Sequence, residues 1–226
     1  MRTTIAYSAK GSAATDRLTG PSLWVYLVAI IPPVLLCTAI ALQPYVEPAE
    51  LFRDPLSVAL DAAARGECCH AYYGFVSQLG NLVWVGGSFI ALFAATVLFT
   101  RGNSPGAGQF MAAAGMLTGI LVMDDMFQGH EFVYPTLFGI PEIFTVAIYA
   151  LLVAAYLWRF RTRILAVGPG LLIISLLAFA IGVMADLFVS DTVAWHRLTE
   201  DGSKLLGICT WTAFHWWAAW TQLASR

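Results

Sequence analysis

Charge is scarce in this sequence. Asp, Glu, Lys and Arg make up 12% of its 226 residues, about half the share found in soluble domains. That scarcity excludes a globule exposed to water on all sides. Basic runs are missing too. The densest group, Arg159, Arg161 and Arg163, lies beside a hydrophobic stretch, which excludes nucleic acid as a partner. Cysteine is limited to Cys37, Cys68, Cys69 and Cys209, too few for a disulfide framework and without the C-x-x-C pairs of a structural zinc site. The Glu-x-x-His signature of helical di-iron sites is absent from the third helix, because the residue three after Glu131 is Tyr134. What is abundant is apolar: 59% of the residues, with a mean hydropathy of +0.73.

Apolar stretches of about 20 residues point to membrane-spanning helices, since a helix satisfies its own backbone hydrogen bonds in hydrocarbon. Six such stretches occur, at 23–43, 75–99, 108–131, 140–159, 164–187 and 203–222. The expected fold is an all-α integral membrane protein, a single domain of six transmembrane helices. The first stretch is too long for the core of a signal peptide and is expected to stay as a helix. Pro32-Pro33 should kink it. Small residues at Gly86, Gly87 and Ser88, and at Ala112 to Gly115 with Gly119, predict that the second and third helices are neighbours. The connection 44–74 is the longest, and Glu50 to Arg65 could lie along the interface as a short amphipathic helix ending at Gly66.

Lys and Arg set the orientation. With both termini in the cytoplasm, eight basic residues fall inside: Arg2, Lys10, Arg17, Arg101, Arg159, Arg161, Arg163 and Arg226. Only Arg53, Arg65, Arg197 and Lys204 fall outside, while thirteen of the fourteen carboxylates, all but Asp16, share that outer side. The chain is expected in a bacterial inner membrane with its acidic face outward, where it would concentrate cations. Trp24, Tyr26, Tyr156, Trp158, Trp216, Trp217 and Trp220 would form an inner aromatic belt, with His215 among them.

The densest chemistry lies at the outer end of the third helix. Asp124, Gln128 and Glu131 share a face there, flanked by Asp125 and His130. Asp124 stands about 22 Å along the helix at 1.5 Å per residue, a depth where adjacent aspartates need pairing, protonation or a cation. His196 and Glu200 are four apart and could ligate one ion from one helix face. Equally, Thr199 could cap the sixth helix, with Glu200 and Asp201 in its first turn and Lys204 as their partner. Asp186 ends the fifth helix and Asp191 follows it. Glu142, after Pro141, reads as an acid in an opening turn. Glu67-Cys68-Cys69-His70 offers soft and imidazole ligands as secondary candidates.

Two of these segments, Asp124-Asp125-Met126-Phe127-Gln128-Gly129-His130-Glu131 and Glu200-Asp201-Gly202-Ser203-Lys204-Leu205-Leu206-Gly207, resemble signatures of an uncharacterised group of bacterial multi-pass membrane proteins. The similarity spans roughly residues 75–222 and implies the topology, but no activity. Ser77-Gln78-Leu79-Gly80-Asn81 is similar to the serine-and-asparagine motif of the alkaline ceramidase and adipoQ-receptor superfamily of membrane zinc hydrolases. Asp125 and His130 resemble that superfamily's next aspartate and histidine. Its last helix carries a His-x-x-x-His pair, whereas this chain has only His215 there.

The first functional expectation is a membrane metalloprotein. Asp124, Asp125, His130, Glu131, His196 and Glu200 would hold one or two divalent ions, with Asp186, Asp201, Lys204, His70, Cys68 and Cys69 as secondary candidates. Mixed carboxylate and imidazole donors suit zinc, iron or manganese, which would hydrolyse or oxidise a lipid-like substrate. One alternative is a non-catalytic subunit, assembling with itself or with another membrane protein. The other is a proton or cation pathway, which ranks lower because only Thr118 and Ser175 lie beneath the acids on their helices.

Overall fold

The computed structural model describes residues 20–102, 105–190 and 195–224, which are helical with no strand among them. In chain order the helices are α1 (Leu23–Leu42), α2 (Pro48–Phe52), α3 (Pro55–Ala64), α4 (Phe75–Arg101), α5 (Pro105–Met126), a π-helical turn (Gly129–Val133), α6 (Tyr134–Phe138), α7 (Glu142–Val167), α8 (Gly170–Phe188) and α9 (His196–Ala224). Asp16 and Asp191, together with Arg2, Lys10, Arg17 and Arg226, lie outside the described residues.

Four helices, α1, α4, α5 and α7, are long and apolar enough to cross a membrane. Six spans were expected. The apolar part of α8, Gly170–Asp186, is a shorter one. The 29 residues of α9 open on the polar run from His196 to Lys204, which dilutes their hydropathy.

Several boundaries differ from the sequence reading, the starts of α8 at Gly170 rather than 164 and of α9 at His196 rather than 203 among them. The third span ends at Met126 rather than 131, because Gln128 takes a left-handed conformation with φ of 51° and turns the chain out of the helix. The fourth helix does not end at 159. It runs on to Val167, carrying Arg159, Arg161 and Arg163, until Gly168 with φ of 98° stops it. The single interfacial helix is instead two, α2 and α3, since Pro55 disfavours helical geometry at Asp54. Gly66 does end it, at φ of 76°. Pro32 and Pro33 do not break α1.

The long helices alternate in direction. Gly80 of α4 lies against Leu205 and Ile208 of α9, and Arg101 at the other end of α4 donates to the Leu223 carbonyl at 3.2 Å, so these two run parallel. Helices α8 and α9 are antiparallel, tied by Ser175 Oγ donating to the Gly207 carbonyl at 2.8 Å and by His196 near Ala185. Between α4 and α5, Ser88 Oγ donates to the Gly115 carbonyl at 2.8 Å, and a Cβ on Gly115 would stand 2.6 Å from Leu92 Cγ. The small-residue faces of α4 and α5 are therefore in contact, as expected. Helix α9 is the hub, packing on α1, α4 and α8.

This weave gives the bundle two unlike ends. One end gathers every described carboxylate, from Glu47 in the α1–α2 connection to Asp201 in α9. The opposite end carries Arg101, Arg159, Arg161 and Arg163. Toward that second end the interior is aromatic. His215, expected in an interfacial belt, is instead 2% exposed. Its Nδ1 donates to the Trp211 carbonyl at 2.9 Å, and Tyr156 Oη donates to its Nε2 at 2.9 Å. Both ring nitrogens are thus used in packing, as buried polar atoms require.

Candidate functional site

The acidic end is built where α5 stops. Past Gln128 the chain turns back over its own helix, and Gly129 lies so close to Asp124 that a Cβ there would sit 2.2 Å from Oδ1. The π turn brings His130 Nδ1 onto Asp124 Oδ2. Tyr149, reaching across from α7, donates its hydroxyl to Asp124 Oδ1 at 2.6 Å. A carboxylate only accepts, so Nδ1 carries the ring proton and Nε2 is left to face outward. Facing Nε2 are Glu131 Oε1 at 3.7 Å and Glu142 Oε1 at 3.9 Å.

The charges around His130 set its affinity for a proton. Burial works against the charged ring, but the hydrogen bond and charge of Asp124, with the charge of Glu131, outweigh it and hold the imidazole above its ordinary value. Glu131 is pushed up to about 7, first by desolvation and then by the negative charge of Asp54. This centre therefore favours holding protons near neutral pH.

A second centre lies beside the first. Lys204 of α9 pairs with Asp125 of α5, and the carboxylates of Asp201 and Asp54 act on the same ammonium. Asp54, at the start of α3, is also within reach of Ser77 Oγ at 3.5 Å. Asp201 Oδ2 is buried without a hydrogen bond, as are both amide atoms of Asn81, which is 1% exposed. Asn81 follows Gly80, the residue packed on Leu205, so it stands at the level of α9 just inward of Lys204.

A third group forms at the start of α9. His196 Nε2 donates to the Ala185 carbonyl at 3.2 Å and lies 3.7 Å from Glu200 Oε2. Arg197 Nη1 donates to that same Glu200 oxygen at 2.8 Å. The capping arrangement expected here does not form. The helix already begins at His196, and Thr199 Oγ1 bonds back to the Trp195 carbonyl at 3.1 Å. Glu200 is partnered by Arg197, and Lys204 turns to Asp125 instead.

The six expected ligands thus fall into three partnerships: Asp124 with His130 and Glu131, Asp125 with Lys204, and His196 with Glu200. Among the described residues no group of three or more His, Cys, Asp and Glu side chains is disposed to hold a metal ion. Asp186 is exposed at the end of α8. Cys68 and Cys69 stand side by side in the connection between α3 and α4. His70 stacks on Tyr72 at 5.0 Å and meets Tyr73 edge-on at 5.4 Å.

Four contributors were missed as site residues. Tyr149 is an ordinary aromatic in an apolar run, and only three-dimensional packing sets it on Asp124. Glu142 occupies the opening turn of α7, as read, but its proximity to His130 depends on the π turn. Asp54 was hidden by reading one helix across Pro55. Asn81 carried a usable signal, an amide in the middle of an apolar stretch.

No curated protein and no solved structure matches this chain. Residues 23–218 match the family described as a domain of unknown function, DUF8692, and this chain belongs to that family.

Proposed function

We propose that this is a six-helix membrane protein with both termini inside, whose acidic outer end holds an acid–base centre at His130 acting on a lipid-like substrate. The carrying observation is the orientation of one ring. Asp124 fixes Nδ1, Tyr149 braces Asp124, and Nε2 is left facing Glu131 and Glu142. A base so oriented can take a proton from water or a hydroxyl and return it to a leaving group. Crossing by α8 and α9 is supported by the alternation of helix directions. It is also supported by the length of α9, about 44 Å at 1.5 Å per residue.

A second reading, the metalloprotein, is favoured by the same ring. A carboxylate on one imidazole nitrogen is the usual outer support of a metal-binding histidine. Here the ion would sit at Nε2, with Glu131 and Glu142 swinging inward from exposed positions. Continuous passage of protons or cations has less support. Thr118 accepts from Trp211 Nε1 at 2.9 Å and Ser175 bonds Gly207, so both hydroxyls beneath the acids serve packing.

The test compares lipid extracts of cells lacking the protein, complemented by wild type or by His130→Gln. A lipid species that accumulates in the deletion and is cleared only by wild type supports the acid–base reading. Equal clearance by His130→Gln sinks it. Elemental analysis of the purified protein separates the two readings. A stoichiometric zinc, iron or manganese lost in both His130→Ala and Glu142→Ala would favour the metal. A protein that clears no lipid, holds no metal and copurifies with a stoichiometric partner would instead be an assembly subunit.

A further inference from the structure

At the end of the bundle away from the acids, α4 and α9 leave an open groove between them. Its volume is about 340 Å³, and its walls are Phe89, Ile90 and Phe93 of α4 with Trp216, Trp220 and Leu223 of α9. Phe89, Phe93 and Trp220 are 69%, 68% and 59% exposed and stand together along one seam. Because α4 and α9 run parallel, the groove points toward the arginine-bearing end. Leu223 closes it there, and the Leu223 carbonyl is the acceptor that holds Arg101 Nη1 at 3.2 Å.

We propose that this groove binds one acyl chain of an anionic phospholipid, with the lipid phosphate held by Arg101. The inference rests on the placement of the chain in a membrane but not on the chemistry of the acidic end. Two dimensions support it. Phe89 to Arg101 is twelve residues, about 18 Å of helix at 1.5 Å per residue, close to the roughly 15 Å of hydrocarbon in one leaflet. The carbonyl of Leu223 engages one N–H of the guanidinium fork, and the remaining donors suit a phosphate in bidentate fashion. Charge selects the headgroup. Arg101 shares its end of the bundle with Arg159, Arg161 and Arg163, a basic rim that attracts anionic lipid. A neutral zwitterionic lipid would fill the groove equally well but gain little from that rim.

Native mass spectrometry of the detergent-solubilised full chain tests this, with dioleoyl phosphatidylglycerol and dioleoyl phosphatidylcholine supplied in equal amounts. Wild type should retain one phosphatidylglycerol with a preference of about five-fold, the effect of one arginine near a lipid surface. Arg101→Gln should abolish the preference, while Arg101→Lys, which keeps the charge but not the bidentate fork, should retain the preference at lower total occupancy and so exclude simple misfolding. Trp220→Ala should lower retention of both lipids, and Arg159→Gln, which removes one charge of the rim without touching the groove, should lower the preference less than Arg101→Gln does. The proposal is overturned by equal retention of the two lipids in wild type, or by a preference that survives Arg101→Gln. It is also overturned by a preference that disappears in Arg159→Gln, or by a dimer that carries no lipid and dissociates on Trp220→Ala.

Discussion

His130 and Glu131 give the acidic end a pH dependence whose sign can be stated. Glu131 has a folded value of about 7 against 4.5 when unfolded, so between those limits the folded chain holds a proton the unfolded chain has lost. Stability must fall as pH rises through that window. His130 is raised above 6.5, so its contribution is complete below that pH and is lost as pH climbs through its folded value. Both act in one direction. Melting temperature in detergent should therefore decline from about pH 5 to pH 8, and Glu131→Gln should flatten the acid half of the decline. A melting temperature that rises over this range would refute the assignment. Lys204→Met should destabilise by about 3 kcal/mol, the lower end for a broken buried pair because the lysine is partly exposed. Lys204→Met with Asp125→Asn should recover part of that loss, since the carboxylate in direct contact with the lysine is then gone and only Asp201 and Asp54 lose its charge. A double variant as unstable as the single one would show that the pair is not the cause.

Among the elements, two glycines near the α4–α5 contact make opposite predictions. Gly115→Ala would push a methyl group into Leu92 and the backbone of α4. It should cost about 1–3 kcal/mol, as overpacking does. Gly86 has open space where its Cβ would stand, so Gly86→Ala should leave stability unchanged or raise it by about 0.5–1 kcal/mol. Thermal melting of the two variants decides the matter, and equal losses would mean that the α4–α5 approach is not set by Gly115. The long helices were legible because a continuous apolar run leaves the backbone no other solution in hydrocarbon. Their ends were less so. Met126 to Gln128 looks as helical as what precedes it, and the turn that delivers His130 depends on a left-handed Gln128 that no residue type announces. Arg159 to Arg163 looked like a loop by charge, yet no Gly or Pro intervenes before Gly168 to end the helix.

For the whole molecule, the segregation of charge was legible by counting, and the bundle brings the described acids to one end as that count required. Which acid meets which base was not legible, because Lys204 and Asp125 lie 79 positions apart in sequence and meet only through the packing of α9 beside α5. The proposed orientation is checked by cysteine labelling on intact cells, in a background where Cys68 and Cys69 are replaced by serine. Gly66→Cys at the acidic end should react with an impermeant maleimide, and Gly168→Cys at the basic end only after lysis. The reverse pattern would invert the topology. The alternation of the six long helices has an electrical consequence. Three backbone macrodipoles point each way and largely offset one another, so much of the moment along the bundle axis belongs to the side chains. In the proposed orientation, with carboxylates outside and arginines inside, that moment would lie parallel to the field of an energised membrane, negative within. Energising the membrane would then stabilise the inserted bundle in that orientation relative to its inverse.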